Sequence, residues 1–379
     1  MRNGWKRVAR GGARGRGTDR ATTGAGTAPE PEPGAAPAES RGEGPGQGPD
    51  ESGSESPDES RGEARGEPPR EAPDEAVGVP PDEGASGGPP EGTPCWADVM
   101  VSDLAAAKRF YGELFGWTFD EPAPAAQGHY TAARSGGRVV AGLMRKTDGR
   151  MPTVWTVYLA VSDARAAAGR VAAAGGQVIG APRPVGSGPA GIMGIAADPG
   201  GAVFGLWEAR AHTGFGRWGE PGSYIWTEVH TRSPAEVDAF YPEVFGYRPL
   251  SAAAVRDPDA QGDDPSLLVW APRGRPADEA HAVVARCLME EGTPPQLPAH
   301  FLVYFAVDGC EAAVETVRRL GGRLRRAPEL GPYGRWAVCT DNQGADFAVL
   351  DPGEEPSREA PGEPARAASE EPTARPEPE

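Results

Sequence analysis

The chain has 379 residues and a formal net charge of −17, with 54 glycines and 42 prolines. Glycine and proline together approach the share at which composition becomes low-complexity, but residues 93–351 carry eight of the nine tryptophans, so the bias lies at the ends. Most of the acidity also lies outside that stretch, which leaves it without the basic surplus that nucleic-acid binding requires, and no run of ~18 apolar residues suits a membrane span.

In chain order, residues 1–92 open with a basic arm (Arg2, Lys6, Arg7, Arg10, Arg14, Arg16, Arg20). This arm reads as a solvated tail, with contact to an anion or RNA as the alternative. The Glu/Pro/Gly/Ser-rich segment after it cannot offset its ordering entropy by burial, and the same holds for residues 352–379, so both ends are predicted to be disordered tails. No apolar stretch follows the basic start, which speaks for a cytoplasmic protein rather than a secreted one. Cys95, Cys287, Cys310 and Cys339 lack C-x-x-C spacing and read as reduced, partly buried thiols.

A strand is predicted over Trp96–Val101, where apolar and polar residues alternate, and Ser102-Asp103 caps the helix that follows. Leu104, Ala107, Phe110, Tyr111 and Leu114 form one helical face, and Gly116 sits where a glycine ends a helix. Alternating stretches then cover Tyr130–Ala133 and Val139–Met144, and later Ile192–Ala197 and Val203–Trp207. The turns Asp198-Pro199-Gly200-Gly201 and Asp341-Asn342-Gln343-Gly344 each separate two closing strands. Ser233-Pro234 is expected to start a third helix.

These elements repeat. Phe110-Tyr111 and Leu114-Phe115-Gly116-Trp117 return at an offset of 130 as Phe240-Tyr241 and Val244-Phe245-Gly246-Tyr247. Val157-Tyr158-Leu159-Ala160-Val161 returns at an offset of 146 as Val303-Tyr304-Phe305-Ala306-Val307. A fainter offset of 60 relates Asp103 to Asp163 and Gly116 to Gly176. The pattern predicts four βαβββ modules of α+β class: 93–150 and 151–208 as one domain, a linker at 209–221, then 222–297 and 298–351 as a second domain.

Paired βαβββ modules with strand-x-Asp-Leu, Phe-Tyr, Leu-Phe-Gly-Trp and Asp-Pro-Gly-Gly resemble the vicinal oxygen chelate superfamily of glyoxalases, bleomycin-resistance proteins and extradiol dioxygenases. The tandem arrangement resembles the two-domain glyoxalase-like proteins of actinobacteria. The resemblance implies that each pair of modules curls into an open cup whose concave face holds a metal or a ligand. It also implies metal ligands at positions filled here by Trp96, Thr156 and Gly205 in the first cup and by Trp226, Leu302 and Ala348 in the second. Trp226 has an equivalent in Trp96, and none of these residues is a His or a carboxylate, so no metal cofactor is expected. The alternative is a divalent ion at Glu228 and His230 with a third donor from the fourth module.

Alternation places Trp96, Asp98, Thr156 and Tyr158 toward the first cup and Trp226, Glu228, His230 and Tyr304 toward the second. Aromatic rings with a few directional polar groups suit a small organic ligand, and an acid beneath a tryptophan suits a cationic or hydroxyl-rich one. Tryptophans filling the cups as core are the competing reading. His129, His212, His281 and His300 read as loop or strand-surface residues, and Phe110, Tyr111, Phe240 and Tyr241 as core. The function expected is binding of a small molecule without the family metal. A catalytic version would use Asp98 and Glu228 as bases and Tyr158 and Tyr304 as acids. The alternatives are a metal-dependent lyase or dioxygenase with other ligands, and a scaffold acting through its tails. No nucleic acid or membrane is expected as partner, and the chain is read as a monomer or homodimer.

Overall fold

The computed structural model describes residues 89–124, 129–186, 190–251 and 266–353. The readings made for residues 1–88 and 354–379 lie outside them. Within the described residues the first domain runs β1 (Pro94–Val101), α1 (Leu104–Phe115), β2 (Thr118–Phe119), β3 (Thr131–Ser135) and β4 (Arg138–Arg145). It continues with β5 (Trp155–Ala160), α2 (Ala164–Ala173), β6 (Gln177–Pro184), β7 (Gly191–Ala197) and β8 (Val203–Ala209). The second domain repeats the order with β9 (Tyr224–Thr231), α3 (Pro234–Phe245), β10 (Arg248–Pro249), β11 (Leu267–Ala271) and β12 (Val284–Leu288). It closes with β13 (His300–Ala306), α4 (Cys310–Arg319), β14 (Arg323–Gly331), β15 (Gly334–Thr340) and β16 (Asp346–Asp351). This is the predicted α+β plan of βαβββ modules.

Each domain is one eight-stranded mixed sheet. The orders are β2-β3-β4-β1-β5-β8-β7-β6 and β10-β11-β12-β9-β13-β16-β15-β14. In both, the first strands of the two modules pair antiparallel at the centre: Asp98 lies opposite Thr156, and Glu228 opposite Leu302. The helices lie between the sheets, α1 against α4 and α2 against α3. Their apolar faces join one core that includes Phe110, Tyr111, Phe240 and Tyr241, all at most 1% exposed. Packing the helical sides together turns the two concave faces away from the shared core.

Two reciprocal hydrogen bonds tie the halves. Tyr111 Oη donates to Asp341 Oδ2 (2.8 Å) and Tyr241 Oη to Asp198 Oδ2 (3.0 Å). The other oxygen of each aspartate organises its own turn, accepting from Ala345 N (2.8 Å) and Ala202 N (2.9 Å). The turn motifs therefore close a hairpin and accept a bond from the opposite domain with one side chain.

Local signals behave largely as the sequence implies. Asp103 caps α1 by accepting from Ala106 N (2.9 Å), and Gly116 ends it in the left-handed region at φ 69. Ser233 precedes α3 but makes no side-chain cap; its own N–H donates to Thr231 Oγ1 (3.0 Å). The boundaries at 92 and 352 also need correction. Gly92 N donates to Ala160 O (2.8 Å) and Glu91 pairs with Arg170 (2.5 Å), so residues just before 93 belong to the first domain. Pro352 lines the second cup.

Candidate functional site

The two cups are built from equivalent residues but are filled differently. In the first, Tyr158 Oη donates to Asp98 Oδ2 (3.0 Å), Tyr130 hydrogen-bonds the same carboxyl, and Trp96 Nε1 donates to Tyr130 Oη (2.7 Å). Close backbone approach makes this network possible. A methyl on Gly142 would overlap the Tyr130 hydroxyl, and one on Gly205 would overlap the Tyr158 ring. Burial pushes Asp98 up to about 7, against the bonds from Tyr158 and Tyr130 that pull it down.

The linker then covers this cup. His212 sets its ring edge-on to Trp96 at 4.5 Å, and Phe215 tilts against the same indole at 5.7 Å. Backbone bonds hold the segment: Phe215 N donates to Cys95 O (2.8 Å), and Trp207 Nε1 donates to His212 O (3.0 Å). Trp96 is left 3% exposed, with Asp98, Thr156 and Tyr158 also buried. All four residues assigned to the first cup are thus brought together, and their rings are core. His212, read as a loop or strand-surface residue, lies in the linker loop but is half-buried there, and burial lowers its affinity for a proton.

The second cup is open. A cavity open to solvent is walled by Trp226, Tyr304, Trp336, Trp218 and Tyr333, with Glu228 on its floor. Trp226 is half-buried, while Glu228 is 2% exposed. Tyr304 Oη donates to Glu228 Oε2 (2.8 Å), and His230 Nε2 lies 3.2 Å from the same oxygen. Burial, and then the charge of Glu228, hold the Tyr304 hydroxyl well above its ordinary range. At the rim Tyr333 Oη hydrogen-bonds Glu279, joining the turn between β14 and β15 to the other side of the mouth. Arg326 lies over the Trp336 ring at 5.0 Å.

Trp226, Glu228, His230 and Tyr304 share this concave face, as alternation along β9 and β13 requires. Sequence reasoning missed several of their neighbours. Cys287 on β12 is in register with His230 and hydrogen-bonds Glu228. Burial first, then Glu228, push its thiol up. His300, assigned to a surface, stacks on His230 at 5.1 Å with the rings 9° from parallel, and burial and His230 lower it to about 4. Trp336 carried a usable signal, since alternation along β15 puts it on the concave face, and so did Tyr130, which sits immediately before β3 two residues from Ala132.

The metal that the family resemblance implies does not fit here. Its positions in the second cup hold Trp226, Leu302 and Ala348, and in the first Trp96, Thr156 and Gly205, with no imidazole or carboxylate among them. Trp226 and Ala348 both flank Tyr304 in register, so the place between them is taken by a phenol.

Eight-stranded sheets built from paired βαβββ modules, each with a concave face, define a glyoxalase-like architecture. A family model described as Glyoxalase/Bleomycin resistance protein/Dioxygenase superfamily matches residues 95–206. The chain is 36% identical over 267 residues to a Mycobacterium tuberculosis protein named "Putative glyoxylase CFP32", across 69% of this chain and 95% of that one. It is 33% identical over 276 residues to the anthracycline biosynthesis protein DnrV of Streptomyces peucetius, across 69% of this chain and 93% of that one. Among solved structures, the Mn(II)-bound glyoxalase from Novosphingobium aromaticivorans aligns over 70% of this chain and 86% of its own, at 16% identity and a TM-score of 0.46. The chain belongs to the glyoxalase/bleomycin resistance protein/dioxygenase superfamily. Among the described residues, no helix is long and apolar enough to cross a membrane.

Proposed function

We propose that the second cup binds a flat aromatic small molecule bearing a cationic or hydroxyl-rich substituent, and that it does so without the family metal. The observation that carries this reading is the open cavity in which Trp226, Trp336, Tyr304 and Tyr333 surround the buried Glu228. Indole faces supply apolar area and attract a cation, and a carboxylate on the floor orients an ammonium or hydroxyl group. The name of the Streptomyces relative supports a ligand of this kind, because anthracyclines join fused aromatic rings to an amino sugar. The first cup takes no part, since the linker occupies it.

Acid–base catalysis by Glu228 and Tyr304 is the weaker version of this reading. A hydroxyl held well above its ordinary range keeps its proton, so Tyr304 acts as a hydrogen-bond donor that positions Glu228.

Titrating tryptophan fluorescence with an anthracycline and with its sugar-free aglycone tests the proposal. Trp226→Ala should weaken both ligands by at least ~10-fold, as expected for loss of a buried aromatic anchor. Glu228→Gln should weaken the amino-sugar compound more than the aglycone. The reading is wrong if neither compound, nor any of a panel of planar aromatic compounds, quenches the fluorescence. It is equally wrong if Glu228→Gln leaves both affinities unchanged.

A further inference from the structure

Glu228, which the ligand reading places on the floor of the second cup, also belongs to a cluster whose other two members, His230 and Cys287, that reading does not use. Glu228 and His230 are two residues apart on β9 and share a face. Cys287 stands beside His230 on the parallel strand β12. The carboxylate, imidazole and thiol donor atoms all lie within 4.8 Å of one another. Bond lengths of ~2.0–2.3 Å to a tetrahedral zinc ion put donors ~3.5 Å apart, a spacing close to the one these atoms already have.

From this placement we infer that Glu228, His230 and Cys287 form a site for one thiophilic divalent cation of the zinc or cobalt type. A thiol with an imidazole and a carboxylate selects such ions over magnesium or calcium. On binding, the Cys287 S–H bond gives way to a sulfur–metal bond and the proton leaves to solvent. The surroundings support the donors. Tyr304 holds Glu228 through its hydroxyl (2.8 Å), and His300, itself 2.9 Å from Pro298 O through Nδ1, fixes the plane of His230 by stacking. The site belongs to one module, on β9 and β12. The positions implied by the family resemblance, Trp226, Leu302 and Ala348, lie on β9, β13 and β16.

The first cup shows that the scaffold does not demand these side chains. There Asp98 keeps the carboxyl, but Met100 and Met144 face each other in the register that His230 and Cys287 occupy. The same strand pair folds with two thioethers, so the imidazole and thiol of the second cup are not required by packing.

The test uses the full chain after dialysis against a chelator, titrated with cobalt(II) alone. Its readout involves no organic ligand and so stands apart from the small-molecule reading. Saturation at one equivalent is expected, with a near-ultraviolet thiolate-to-cobalt charge-transfer band that zinc abolishes. Cys287→Ser should remove the band, whereas Cys310→Ser, in the core between the sheets, should retain it. Should Cys287→Ser misfold, His230→Gln at a half-buried position tests the same site. It should weaken cobalt by at least ~10-fold with the far-ultraviolet dichroism unchanged, since even residues that only support metal ligands carry that much. Absence of a saturable band overturns the inference, as does a band unaffected by Cys287→Ser or by His230→Gln.

Discussion

The two cups differ less in their floors than in what lies over them. Asp98 and Glu228 occupy equivalent places and accept equivalent tyrosine hydroxyls at 3.0 and 2.8 Å. Above Asp98, Tyr130 settles over Gly142, and the linker presses His212 and Phe215 onto Trp96. Above Glu228 the corresponding strand position is Ala285, and Trp226 faces a cavity. The same linker that fills the first cup contributes Trp218 to the wall of the second. Duplication thus produced two sites with one plan, and a segment outside the repeat closed only one of them.

The largest effect that could break this contrast is the truncation of each tryptophan. Trp96 packs on all sides, so Trp96→Ala should cost ~3–5 kcal/mol of stability. Trp226→Ala, at a half-exposed position, should cost no more than about half of that and act mainly on ligand affinity. Urea unfolding followed by far-ultraviolet dichroism measures both. Equal losses would mean that the second cup is as filled as the first.

The module plan was legible because hydrophobic period, caps and turn motifs recur at fixed offsets, and those signals are local. The floor residues Asp98, Glu228, Tyr158 and Tyr304 were legible for the same reason: alternation along a strand fixes their side. The cover was not. Nothing in the repeat says that His212 and Phe215 fold back onto Trp96, because that contact depends on the path of a non-repeated linker. Cys287 was missed for a related reason. Its nearness to His230 depends on β12 pairing parallel with β9, a register set by the intervening chain and not by spacing. The hydrogen bonds from Tyr111 to Asp341 and from Tyr241 to Asp198 were likewise invisible, since each joins a helix of one domain to a turn of the other.

A pH experiment sharpens the contrast at the first floor. Asp98 is raised to about 7 from an ordinary value of 3.8, chiefly by burial. The folded state therefore holds a proton that the unfolded chain releases between those values. The stability contributed by that proton is fully present below about pH 4 and is lost as pH rises through about 7. Between pH 5 and pH 8 the chain should lose about 2–3 kcal/mol at this site, because a proton bound only by the folded state makes stability fall by ~1.4 kcal/mol for each step of one in pH. Asp98→Asn keeps an acceptor for Tyr158 but has nothing to ionise, so its unfolding midpoint should be flatter over that range and higher than the parent's at pH 8. A parent whose stability does not fall from pH 5 to pH 8, or a variant that falls as steeply, would show that water reaches Asp98 and that the linker does not seal the first cup.

The smallest effect concerns the strands beneath the tyrosines. Tyr158 lies in register with Gly205, and Tyr304 with Ala348. The second cup therefore accommodates a methyl group where the first has none. A methyl at Gly205 would run into the Tyr158 ring, which the bond to Asp98 holds from one side and the packed cup from the others. Gly205→Ala should cost ~1–3 kcal/mol, the usual penalty for overpacking a full core. Ala348→Gly removes a methyl beneath a ring that borders a cavity and adds backbone freedom, and should cost ~1 kcal/mol. Urea midpoints of the two variants give the difference, and near-ultraviolet dichroism reports whether Tyr158 has moved. If Gly205→Ala proves neutral with its aromatic spectrum altered, Tyr158 has moved into free space, and the first cup is then less tightly filled than the contrast with the second requires.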